Sequence, residues 1–97
     1  MGAVVGVCII RLELDGATSL KEKRSRTNSI KDRVRRKFDV IVAETDELDR
    51  LRRAELTFCA VSNGESVVCS RLEKVVAFVE DMGICRVADE RIELIHV

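Results

Sequence analysis

Hydrophobic and polar residues follow strand-like or helix-like periods in successive segments of the chain. Residues 4–14 predict a first strand, because their even positions are apolar: Cys8, Ile10, Leu12 and Leu14. Residues 19–38 predict a helix, because apolar or small side chains recur on one narrow stripe: Leu20, Thr27, Ile30, Val34 and Phe38. The apolar runs in 39–45 and 54–61 predict two further strands, separated by a charged connector at 46–53.

A second helix is predicted from Ser62-Asn63-Gly64 to about Met82, where Gly83 would end it. Its expected core is formed by Val68, Leu72, Val75, Val76 and Val79, with Val67 and Phe78 widening the stripe. Residues 84–97 alternate as a fourth strand. The order βαββαβ predicts an α+β fold of the ferredoxin-like type, with two helices on one face of a four-stranded antiparallel sheet. We expect residues 1–97 to form one domain.

The charge of the chain is balanced overall but strongly uneven along it. There are 17 basic and 17 acidic residues, yet nine basic residues fall within 19–38, against only Glu22 and Asp32. Nine minus two gives this segment a charge of +7, so the rest of the chain must carry −7. A dense basic helix attracts polyanions such as RNA.

The start of this helix has features of a phosphate site. Ser19 and Glu22 form a capping-box pattern, in which the serine hydroxyl accepts from the Glu22 amide. Basic residues in a first helical turn oppose the helix dipole, but beside free amides they favour an anion. The candidate RNA- or anion-binding residues are Ser19, Lys21, Lys23, Arg24, Lys31, Arg35 and Arg36. The alternative is a solvated helix whose charges pair with Glu73 and Glu80 of the second helix.

The mode of RNA binding is constrained by the scarcity of aromatic residues. The chain contains no Trp or Tyr, and Phe38, Phe58 and Phe78 all occupy expected core positions. Base stacking on the sheet therefore lacks its usual side chains. We expect RNA or a ribosomal subunit, if bound, to be recognised through phosphates and shape, with a steep salt dependence.

The second hypothesis is a homo-oligomeric interaction module. The odd positions Val5, Val7 and Ile9 of the first strand would face away from the helices. Three aliphatic side chains on an uncovered sheet face suggest that another subunit covers them. In this reading, the charges of the basic helix keep the protein in solution. Scattered surface apolar residues are also common in monomers.

An enzyme is the third and least favoured hypothesis. Glu44, Asp46, Glu47 and Asp49 could hold Mg²⁺ in the connector, but the connector's own arginines, Arg50, Arg52 and Arg53, would pair with them. The four cysteines form no C-x-x-C pair, and the single histidine, His96, is next to the end of the chain. We therefore expect no catalytic residues, metal site or cofactor. No segment approaches the roughly 20 apolar residues of a membrane span, so a cytoplasmic location without membrane contact is expected.

Several blocks of the sequence resemble the YlxP-like family of small bacterial proteins. The blocks are S-L-K-E-K-R at 19–24, I-K-D-R at 30–33, F-D-V at 38–40, V-A-E at 42–44, R-A-E-L at 53–56 and V-S-N at 61–63. The resemblance spans nearly the whole chain. It implies a ferredoxin-like fold, a cytoplasmic bacterial protein and a gene neighbourhood with translation and ribosome-maturation factors. It implies no particular activity.

Overall fold

The computed structural model describes residues 2–97, which form six elements in the predicted order. The strands are β1 (Val4–Glu13), β2 (Ile41–Asp46), β3 (Arg53–Ser62) and β4 (Arg86–His96), and the helices are α1 (Leu20–Lys37) and α2 (Glu65–Asp81). The four strands form one antiparallel sheet, and buried residues of both helices pack on the same side of it. The predicted ferredoxin-like βαββαβ fold is therefore confirmed.

The sheet has the strand order β2-β3-β1-β4, so β1 and β3 occupy its centre. Each residue of β1 faces a partner on both sides, and Cys8, for example, lies opposite Phe58 of β3 and Ile92 of β4. A shift in register between Arg11 and Leu12 interrupts the pairing of β1 with β4. Residues directly opposite each other point to the same face of the sheet. Each row of side chains across the strands therefore faces either the helices or the uncovered side.

The core lies between the sheet and the two helices. The even positions of β1 and β3 point into it, as the alternation predicted. All five predicted core residues of α2 are buried, and α1 contributes Thr27, Ile30 and Val34. At the edges of the core, Phe38 and Phe78 are partly buried and stack edge to face, with ring centroids 5.5 Å apart.

Two local predictions are corrected by the structure. β2 begins at Ile41 rather than at residue 39, because Phe38 still belongs to α1 as its C-cap and donates its amide to the Val34 carbonyl at 2.8 Å. Val67 does not join the core but is 47% exposed in the first turn of α2. The predicted stop at Gly83 is confirmed, since this residue has a φ of 70°, a conformation that favours glycine.

Gly6 determines how closely α2 approaches β1. A Cβ atom placed on Gly6 would lie 2.2 Å from Cγ1 of Val68 and 2.8 Å from Cδ1 of Leu72. Only a residue without a side chain therefore fits beneath this part of α2. The close approach allows the valine-rich face of α2 to cover the centre of the sheet.

We expect Gly6→Ala to lower the free energy of unfolding by about 1–3 kcal/mol, because the methyl group must displace α2 from the sheet. The measurement is chemical denaturation followed by circular dichroism. In a double-mutant cycle with Val68→Ala, the double variant should be less destabilised than the sum of the two single variants, because Val68→Ala removes the nearest clashing atom. Strictly additive effects would contradict this explanation.

Candidate nucleic-acid interface on the first helix

α1 begins with the predicted cap at Ser19. The Glu22 amide donates to Ser19 Oγ at 3.1 Å. The Glu22 carboxylate reaches one residue beyond the cap, where it accepts from the Thr18 amide at 3.1 Å and from the Thr18 hydroxyl at 2.8 Å. A carboxylate thus already occupies the start of the helix. The predicted contact of Ser19 with phosphate stays a prediction, and it would have to compete with this acid.

Lys23 is buried beneath α1 rather than presented to an anion. Only 1% of the residue is exposed, and its ammonium nitrogen lies 3.2 Å from a carboxylate oxygen of Glu44 in β2. The ammonium also donates to the Glu47 carbonyl and lies 3.5 Å from the Leu48 carbonyl. The prediction that Lys23 binds RNA phosphates is therefore wrong, because its charge is already matched inside the protein.

The Lys23–Glu44 pair joins α1 to β2 and to the connector between β2 and β3. In that connector, Glu47 has a φ of 64°, a left-handed conformation that is uncommon for a residue other than glycine. The lysine ammonium binds the carbonyl of this same residue. We infer that Lys23 stabilises the turn as well as neutralising Glu44. The sequence did contain a signal, since Lys23 lies on the helical stripe of Thr27 and Ile30.

The connector arginines do not form the ion pairs with the connector acids that the sequence suggested. No ion pair joins Arg50, Arg52 or Arg53 to the connector acids within the described chain, whereas Arg52 donates its Nε to the Ala17 carbonyl at 3.3 Å. Residues 2–97 bring together no group of three or more His, Cys, Asp or Glu side chains that could hold a metal ion. The expected absence of a metal site remains an expectation.

Two further cations of α1 are held by neighbouring groups. Arg26 binds the Glu22 carboxylate at 2.8 Å and the Asp15 carbonyl at 2.9 Å. Arg35, whose side chain is about half exposed, donates to the Val42 carbonyl of β2 at 3.1 Å and lies 3.6 Å from Asp32. Arg35 can therefore still contact a ligand through its exposed half, whereas the guanidinium of Arg26 is occupied by contacts within the protein.

Six cations of α1 remain, and all but Lys37, which lies over the rings of Phe38 and Phe78, form the candidate interface. Among residues 2–97, these side chains make no ion pair or hydrogen bond: Lys21, Arg24, Lys31, Arg33 and Arg36, called the open cations below. All except the partly buried Lys31 are exposed. Glu73 and Glu80 of α2 form no ion pair with α1 in the described chain, contrary to the pairing expected for a merely solvated helix.

The open cations lie on more than one side of α1. Arg24 and Lys31 share a flank with Arg35, because they are separated by seven and four residues. The bond from Arg35 to β2 shows that this flank faces the β2 edge of the sheet. Arg36 points away from the core, opposite the buried stripe. Together they give α1 a basic surface that extends from the β2 edge to the outer side of the helix.

The other face of the sheet is apolar and carries no helix. Val5, Val7 and Ile9 lie on it and are partly buried by neighbouring strands, as the alternation predicted. Val61 and Ile95 flank Val5 in the sheet and are 57% and 51% exposed. With Ile41, which is 74% exposed, these six residues are called the sheet patch below. Whether a second subunit covers the patch stays a prediction.

The cysteines are all free, and only Cys8 is fully buried. Burial, with a smaller contribution from Glu90, raises the pKa of the Cys8 thiol to about 11, and burial also raises that of Cys85. Both thiols are therefore protonated and weakly nucleophilic at neutral pH. Cys59, Cys69 and Cys85 are partly buried rather than core residues.

No helix in the part of the chain that the structure describes is both long and apolar enough to cross a membrane.

We expect Lys23→Ala to lower the free energy of unfolding by about 3–5 kcal/mol, because it leaves the Glu44 carboxylate buried without its partner. Lys21→Ala, the matched change at an open cation, should alter it by less than about 0.5 kcal/mol. The double variant Lys23→Met/Glu44→Met should recover much of the loss. Equal effects of the Lys23 and Lys21 changes in urea denaturation would contradict a structural role for Lys23.

The contacts of Glu22 predict a specific pH dependence. Hydrogen bonds from the Thr18 hydroxyl and amide, together with Arg26, lower the pKa of the Glu22 carboxyl below its ordinary value of 4.5. A carboxyl whose pKa is lowered by folding stabilises the folded state at pH values above its ordinary pKa. This contribution disappears as the pH falls through the pKa that the group has in the folded state. The melting temperatures of wild type and Glu22→Gln should therefore differ most near pH 7 and converge below pH 4.5. A constant difference would contradict this.

Comparison with known proteins gives the family but no activity. A family described as "Protein of unknown function (DUF503)" matches residues 5–92. The uncharacterized protein YlxP of Bacillus subtilis (strain 168) is 36% identical over 64 residues, which cover 66% of this chain and 70% of that protein.

A solved structure described as "Structural Genomics, protein YJCS" aligns with 92% of this chain and 96% of its own, at 11% identity and a TM-score of 0.47. That degree of likeness supports no argument about function. The sequence match covers nearly all of β1 to β4, and the chain therefore belongs to the DUF503 family of proteins of unknown function.

Proposed function

We propose that this chain is a non-enzymatic accessory protein that binds structured RNA, or a ribosomal subunit, through phosphate contacts on α1. The observation that supports the proposal is the set of open cations: five basic side chains of α1, four of them exposed, without an acid that neutralises them in the described chain. Of the candidate contacts that the sequence suggested, all except Lys23 remain: Ser19, Lys21, Arg24, Lys31, Arg35 and Arg36.

The spacing of these charges suits an extended anion. α1 has 18 residues, which at 1.5 Å per residue span about 27 Å. Lys31 and Arg35 are four residues apart and Arg33 and Arg36 three apart, so like charges repel on adjacent turns. Phosphates placed between them would relieve this repulsion and release counterions.

The binding mode follows from where the aromatic rings lie. Phe58 is fully buried, and Phe38 and Phe78 pack against each other. The sheet patch contains no ring on which a base could stack. Recognition would therefore rely on phosphate geometry and RNA shape, with little sequence preference. The choice of RNA over other polyanions, and of a cytoplasmic location, rests on the family resemblance.

We expect fluorescence anisotropy with a structured ribosomal RNA fragment to detect binding at about 50 mM salt. If four or five phosphates are contacted, affinity should fall by roughly two to three orders of magnitude at about 200 mM salt. Arg24→Glu/Lys31→Glu should abolish binding, because it reverses two charges on the β2 flank. The matched control is Arg50→Glu/Arg91→Glu, which makes the same charge change away from α1. Equal losses in both variants would indicate that net charge, rather than α1, governs binding.

The second candidate function is homodimerisation through the sheet patch. Four strands about 4.8 Å apart and about 25 Å of paired length present roughly 500 Å² per copy, and two such faces approach the roughly 1,000 Å² of a specific interface. The same face carries charges of both signs, in the pairs Arg11–Glu55 at 3.7 Å and Arg91–Glu93 at 3.6 Å. A second copy could therefore meet each charge with its opposite.

We expect light scattering to give the mass of two chains for wild type and of one chain for Val61→Glu. The change places a charge in the middle of the patch at a position that is already 57% exposed, so the isolated fold tolerates it. Val67→Glu, at a 47% exposed position on α2, is the matched control and should leave the mass unchanged. A wild-type mass of one chain at high protein concentration would exclude this interface.

A further inference from the structure

An open groove of about 580 Å³ lies between the last turn of α1 and the first half of α2. Three basic residues and one acid line it: Lys37, Arg71, Lys74 and Asp39. Three positive charges minus one negative charge leave a local charge of +2. The volume is within the range of sites for small ligands. The groove lies on the α2 side of α1, away from the β2 flank that carries Arg24 and Lys31.

Two aromatic rings hold the first cation of the groove in place. The ammonium of Lys37 lies 4.7 Å from the ring centroid of Phe78 and 5.9 Å from that of Phe38. Such contacts restrict a long side chain without neutralising its charge. Lys37 is therefore held near the junction of the two helices and forms no ion pair in the described residues.

The second cation is positioned by the backbone. Arg71 donates one guanidinium N–H to the Asp39 carbonyl at 3.4 Å, which leaves its other donors without a partner in the described chain. A guanidinium anchored in this way can still present two parallel N–H groups to a phosphate.

The wall of α2 supplies hydroxyl donors in line with the third cation. Ser66, Ser70 and Lys74 are spaced by four residues, so they lie one above another on the same face of the helix. Neither serine hydroxyl has a hydrogen-bond partner in the part of the chain that is described, and Lys74 is exposed. Two hydroxyls, two ammonium groups and a guanidinium thus line one concave surface.

We infer that this groove binds a phosphate group. Bidentate hydrogen bonds from Arg71, the point charges of Lys37 and Lys74, and the hydroxyls of Ser66 and Ser70 match the several acceptor oxygens of a phosphate. The inference goes beyond RNA binding by α1 and does not depend on it, because none of these residues is an open cation. The phosphate could belong to a free mononucleotide or to the end of an RNA strand.

The test is a set of ¹H–¹⁵N NMR titrations of the full chain at constant ionic strength. The probes are inorganic phosphate, adenosine 5′-monophosphate, and a short RNA with or without a 5′-phosphate. We expect saturable shifts of the Ser66, Ser70 and Arg71 amides. Saturation by the mononucleotide identifies a free-ligand site, and preference for the 5′-phosphorylated RNA identifies a strand-end site. The absence of saturable shifts in the groove with every probe overturns the inference.

Variants separate the groove from α1. Arg71→Gln and Lys74→Gln should each weaken binding of the best probe about tenfold, since each removes a charge-assisted contact. Lys74 is exposed, so its change tests the site even if Arg71→Gln destabilises the fold. Lys31→Gln is the matched control and should leave binding of the mononucleotide unchanged. Wild-type affinity in both groove variants overturns the inference. Loss of RNA binding in the α1 variants, with groove shifts intact, supports two separate sites.

Discussion

Burial of the Lys23 side chain fixes the rotation of α1 about its own axis. The ammonium must reach Glu44 and the connector carbonyls, and Thr27 and Ile30 follow it into the core on the same stripe. Once this stripe faces the sheet, helical geometry turns Arg24, Lys31 and Arg36 towards solvent or the β2 edge. A charge hidden inside the protein therefore determines which charges form the surface of α1, and breaking the pair would disturb both the fold and that surface.

The two faces of the sheet have different chemistry because both helices cover the same side. On the covered side, α1 presents cations that no acid of the described chain neutralises, while the opposite face presents aliphatic side chains bordered by ion pairs. These surfaces do not overlap. A second copy on the sheet patch would leave α1 free to contact RNA, so the two proposed functions are compatible. A dimer of this kind would also place two basic helices on opposite outer sides of one assembly.

Much of the fold could be predicted because it depends on short-range patterns. Alternation along β1 distinguished its buried positions from Val5, Val7 and Ile9. Helical spacing identified every buried residue of α2, and its one error was to add the exposed Val67 to the core. Ser19 was recognised as the cap because a serine three residues before a glutamate meets a local need of the helix. Such features involve neighbours within four residues and are therefore visible in the sequence.

The sequence by itself determined the element order, the family and the net charge of α1. Only the tertiary structure decided that Lys23 is an internal ion-pair partner while Arg24, the next residue, is open, because Glu44 lies 21 positions further along the chain. It likewise brought Lys37 to Arg71 and Lys74 in one groove. The attraction between two charges depends on their distance in the folded protein. The separation of residues along the chain therefore does not reveal which charges lie close together.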